Sequence, residues 1–85
     1  SPSMPRIDSN RPVGENEFMQ GMHLYWKDRH KDALMLLEKA ASFHYPPALV
    51  RLQNMYAEGL GCLKNEPKAK QLFDQALKFE SWFIE

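Results

Sequence analysis

This chain writes a helical-hairpin pattern twice, which leaves few folds open to its 85 residues. Ala33, Leu36, Leu37 and Ala40 return as Ala69, Leu72, Phe73 and Ala76, each 36 positions later. Spacing of i, i+3, i+4 and i+7 marks one face of an α-helix. Any helical bundle shows that spacing. Alanines at matching places point further, to a repeat, because close helix crossings need small side chains there. A second helical segment precedes each stripe, and Gly21 aligns with Gln53 at an offset of 32. The copies therefore share a helix pair and differ by four residues, Gly59-Leu60-Gly61-Cys62, in the internal turn of the second. The expected fold is all-α: two stacked antiparallel hairpins, four helices, a short solenoid in which each hairpin covers its neighbour's apolar face.

The first helix is expected at about Glu15 to Lys27, apolar at Phe18, Met19, Met22, Leu24, Tyr25 and Trp26. Gly21 in its middle costs about 1 kcal/mol against alanine and fits a neighbour that approaches closely. The second, near Lys31 to Phe43, places Ala33, Leu36, Leu37, Ala40 and Ala41 on one face. Tyr45-Pro46-Pro47 stops it and opens the third, since proline suits a first turn and not an interior. The third spans about Pro47 to Glu58, with Ala48, Leu52, Met55 and Tyr56 inward and Gly59 supplying a left-handed cap. Asn65 caps the fourth, with Pro67 in its first turn and Ala69, Leu72, Phe73, Ala76 and Leu77 inward.

Length and charge bound the function. One small domain is accommodated, burying roughly 60–65% of its unfolded surface. Residues 1–13 hold three prolines and no apolar period, and read as an unstructured arm ahead of a domain at 14–85. Ser1-Pro2-Ser3 ahead of Met4 reads either as a cloning remnant or as the cut edge of a longer chain. Formal net charge is zero, so no electrostatic footprint for nucleic acid or an anionic membrane is visible. No run of 18 apolar residues spans a membrane. A single cysteine makes no internal disulfide and suits a reducing compartment. The expectation is a cytoplasmic protein, or a periplasmic one if a signal peptide has been removed.

No motif carries catalytic or cofactor chemistry. His23, His30 and His44 lack a second ligand at i+3 or i+4, and Cys62 has no CxxC partner, so no metal is expected. Cys62 reads as a small packed hydrophobe. No serine or cysteine has a recognisable base. Glu15/Glu17 and Glu58/Glu66 read as solvated carboxylates. Gly59-Leu60-Gly61 lacks the lysine of a phosphate loop and reads as a helix stop.

Lys39-Ala40-Ala41, Pro47-Ala48, Arg51-Leu52, Met55-Tyr56-Ala57-Glu58-Gly59-Leu60-Gly61, Asn65 and Lys68-Ala69 together resemble a Sel1-like repeat, a subclass of the tetratricopeptide-type helical repeat. The first copy, with its shorter turn, is closer to an ordinary tetratricopeptide repeat. Four positions depart from the pattern: Gln53, His44 and Lys27 stand where glycine is usual, and Cys62 where valine is common. The resemblance implies a non-catalytic protein–protein interaction module of adaptor, chaperone or inhibitor type, commonly bacterial. It also implies that the first helix of each hairpin lines a concave face.

Helical phase puts Phe18, Met22 and Tyr25 or Trp26 on that lining from copy one, and Val50, Arg51, Asn54 and Ala57 or Glu58 from copy two. Aromatic anchors with an arginine and an amide are the chemistry of peptide capture. Core packing competes for each aromatic taken singly; as a set they exceed one buried stripe. The tail Trp82-Phe83-Ile84 is equally apolar, and two repeats are one fewer than a stable stack normally has. A cap on the last hairpin and a homodimer contact both account for it. The alternative function is thus a self-association module that pairs two protomers through apolar repeat ends.

Overall fold

The computed structural model describes residues 11–79, all of whose regular structure is helical: α1 (Glu15–Trp26), α2 (His30–Ser42), α3 (Pro46–Glu58) and α4 (Glu66–Lys78). Consecutive helices pack on one another, giving two antiparallel hairpins stacked through α2 and α3. Residues 1–10 of the N-terminal arm, and Trp82, Phe83 and Ile84, lie outside the described residues.

The helix limits follow the expected chemistry. Asn65 caps α4, its side-chain oxygen accepting from the Lys68 amide at 3.1 Å. Gly59 closes α3 with φ +74°, in the left-handed region that glycine enters without steric cost. Prolines occupy the first turns of α3 and α4. Both α2 and α4 end in the same way: Phe43 N–H donates to Ala40 C=O, and Phe79 N–H to Ala76 C=O, each at 3.1 Å. The first exit then turns at His44, whose φ is +59°. That is a conformation in which glycine is unstrained and a side chain is tolerated at some cost.

The core lies where α3 enters between α2 and α4. Leu37, Leu49 and Met55 are fully buried, Leu52 and Leu72 nearly so, with Ala33 beneath them. A smaller cluster of Ala40, Tyr45 and Ala48 extends it, and the Phe18 ring meets Tyr45 edge-on at 5.4 Å between centroids. Gly21 is buried against α2: a Cβ there would sit 2.9 Å from Leu37 Cγ, so the helix crossing needs its missing side chain.

Two expected stripes differ in detail. Leu49 joins the inward residues of α3, because that helix has neighbours on two sides and so buries a wider arc. Phe73 and Leu77, expected inward on α4, are 46% and 48% exposed. Their helix packs against α3 alone among its sequence neighbours, so only Ala69, Leu72 and Ala76 of its stripe turn toward the core.

Candidate partner-binding face

Two contacts show that α1 and α3 run side by side in the same direction. Phe18, near the start of α1, meets Tyr45 at the start of α3, while Tyr25 in the last turn of α1 meets Arg51 one and a half turns into α3. Around the second contact three of the expected residues converge. Arg51 Nη1 donates to Tyr25 Oη at 3.3 Å. The guanidinium carbon lies 4.6 Å from the Tyr25 ring centroid and 5.7 Å from that of Trp26. Each lies within the range where ring quadrupoles attract a cation, by about 0.5–1 kcal/mol at partly exposed sites. The two rings stand edge to face at 5.2 Å.

Arg51 makes no ion pair with a carboxylate among the described residues. Arg29 and Arg11, by contrast, lie 2.6 Å from Asp32 and 3.5 Å from Glu15. A guanidinium held by ring faces and one hydroxyl keeps N–H donors available to an incoming acceptor.

Further along the same face of α3, Asn54 Nδ2 donates to Glu58 Oε2 at 3.4 Å. Asn54 Oδ1 is enclosed and meets no donor, an arrangement that costs stability where it persists. Trp26 is 70% exposed and Val50 50%, while Glu58 is also open to solvent. Phe18, Met22 and Tyr25 are part-buried and pack on the core. The expected set thus divides by depth. Phe18, Met22 and Tyr25 form the floor, Arg51 and Asn54 stand half-buried above it, and Trp26, Val50 and Glu58 are open.

One neighbour of this face has no signature in the sequence. His30, at the start of α2, lies against Tyr25 with ring centroids 4.8 Å apart. The short α1–α2 turn brings it there, and neither helical period nor motif marks it. A second feature hidden from the sequence lies at the other end of the hairpins. Pro12, Val13, Phe43, His44, Tyr45 and Phe79 line an open hollow of about 360 Å³. Its walls come from three separate turns, and His44 stacks on Phe79 at 5.1 Å.

The remaining candidates are dispersed. Among the described residues, no group of three or more His, Cys, Asp or Glu side chains could hold a metal ion. No helix there is long and apolar enough to cross a membrane. Burial, then the nearby Glu38 carboxylate, pushes the Cys62 thiol up. Its S–H points toward the Met55 and Leu60 carbonyls, so the nucleophilic thiolate is disfavoured at neutral pH.

Tyr56 reports on the core beneath the face. Its hydroxyl donates to Glu38 Oε1 at 3.2 Å. Burial, with Glu38 adding to it, pushes the phenol up to about 12. A phenol raised in the folded state contributes stability fully below its ordinary value near 10 and loses it as pH rises through the folded value. Tyr56→Phe therefore flattens the fall in stability between about pH 10 and 12 relative to the parent protein, as read by urea midpoints at successive pH values. An identical alkaline profile for the two proteins would contradict the part-buried Tyr56–Glu38 bond.

No protein-family model, curated protein or solved structure matches this chain.

Proposed function

We propose that the protein is a non-catalytic binding module that takes a peptide segment of a partner protein on the α1/α3 face. This is the reading suggested by its resemblance to Sel1-like and tetratricopeptide-type repeats. One observation carries it: an arginine that lies against the rings of Tyr25 and Trp26, with no carboxylate partner among the described residues, where the tryptophan is itself 70% exposed. Exposed tryptophan and half-desolvated arginine are the residues that most often dominate binding energy at interfaces. The segment this face selects carries a carboxylate for Arg51 and an apolar side chain for Trp26. Adaptor, chaperone and inhibitor roles all use such a face, and the compartment proposed is the cytoplasm.

The test uses a phage-displayed library of random peptides selected on the folded 85-residue protein. Selected peptides, synthesised with a fluorophore, are titrated by anisotropy against the parent and Trp26→Ala. Because Trp26 is open to solvent, its truncation leaves the melting temperature in place while weakening binding at least tenfold. Equal affinity for the two proteins would defeat the reading.

A further inference from the structure

The two hairpins can serve as each other's control. α4 repeats α2 at an offset of 36, down to the closing hydrogen bonds at Phe43 and Phe79. At that offset Leu37 corresponds to Phe73 and Ala41 to Leu77. Leu37 is fully buried and Ala41 half-buried in the clusters to which α3 brings Ala48, Leu49 and Leu52. Phe73 and Leu77 are 46% and 48% exposed, so the face that α2 uses to receive the next hairpin is repeated on α4 and left open.

The opposite end of the stack differs. The residues through which α3 packs inward are Ala48, Leu49, Leu52 and Met55. Thirty-two positions earlier, on α1, stand Asn16, Glu17, Gln20 and His23. The leading end is therefore polar and the trailing end apolar. A second copy cannot extend the stack head to tail, because α1 offers no apolar stripe to the outer face of α4. The apolar end matches another surface of its own kind, which is the condition for a two-fold, self-complementary contact.

We propose that two copies of this chain associate through the outer faces of α4, antiparallel across a two-fold axis. With the axis at Gln75, Phe73 of each copy packs on Leu77 of the other. The two copies' Lys70 side chains then sit at opposite ends of the contact, five residues on either side of the axis. A parallel pairing would set Lys70 against Lys70. The helix is 13 residues, about 20 Å. One helix pair therefore reaches only the low end of the roughly 1,200 Å² that specific interfaces bury, so the expected dimer is one that forms and dissociates with concentration.

Sedimentation equilibrium of the full chain from about 5 to 200 μM tests this. The expected result is a concentration-dependent dimer in the parent and in Trp26→Ala, and a monomer of unchanged helical circular dichroism in Phe73→Glu and Leu77→Glu. A parent that stays monomeric at 200 μM overturns the proposal, as does a dimer that survives both glutamate substitutions or dissociates in Trp26→Ala. A full chain that is monomeric while a chain ending at Phe79 dimerises would also overturn it, because residues 80–85 would then cover the face within one molecule.

Discussion

Gly61→Ala is expected to lower the unfolding free energy by about 3 kcal/mol, the sum of left-handed strain and overpacking. Gly61 has φ +75°, where an L-residue is strained. The larger part is spatial. A Cβ at this position would lie 2.5 Å from the His30 carbonyl oxygen and 2.9 Å from the Lys31 amide nitrogen. Both are backbone atoms at the start of α2 and cannot swing aside. A domain of this size holds only about 3–5 kcal/mol in total, so the variant should be close to unfolded at room temperature. Gly59→Ala is the control. Its φ of +74° carries similar strain, but the nearest atom is Lys64 N at 3.2 Å, so a loss of only about 1–2 kcal/mol is expected. Urea denaturation of the three proteins measures both. Equal losses for the two substitutions would contradict the close approach. The four residues by which the second copy exceeds the first are thus more than a spacer. Through Gly61 they seat the second hairpin against the first turn of α2, the turn whose His30 ring rests on Tyr25.

Removing the Arg51 guanidinium is expected to cost peptide binding roughly 10- to 100-fold, the range for deleting a hydrogen bond to a charged partner. Arg51→Gln keeps a polar, hydrogen-bonding side chain, shorter than arginine, and removes the charge and its attraction to the Tyr25 and Trp26 rings. Arg51→Lys restores charge without the planar fork, so it should recover only part of the affinity. The melting temperature should move little in either variant, because the residue is half-exposed and has no carboxylate partner among those described. Anisotropy titration of a selected peptide reads the effect. If Arg51→Gln bound with parental affinity, no partner carboxylate would sit on Arg51.

Much of the fold was legible because its signals are local. Helical spacing, the Asn65 cap, the proline first turns and Gly59 each act within a few residues, and each appears where the sequence put it. Burial around α4 was less legible. Phe73 satisfies the same period as Leu37, but period cannot say whether a neighbour exists on the far side. Leu49 fell outside the expected stripe for the converse reason, since α3 is covered from both sides. On the candidate face, helical phase put Arg51 and one of Tyr25 and Trp26 on the same lining, and the structure brings all three into contact. Phase gave less on depth, because Phe18 and Met22 share that side yet rest on the core. His30 and the hollow beside Phe79 were invisible to it, being assembled by turns that join separate helices.

The most direct test of the central claim is a ¹H–¹⁵N chemical-shift titration of the labelled protein with a selected peptide. Peptide capture on the α1/α3 face perturbs the Trp26 indole signal and the amides of Tyr25, Trp26, Val50, Arg51, Asn54 and Glu58. Perturbations centred instead on Phe73 and Leu77 of α4, with the Trp26 indole unmoved, would contradict it.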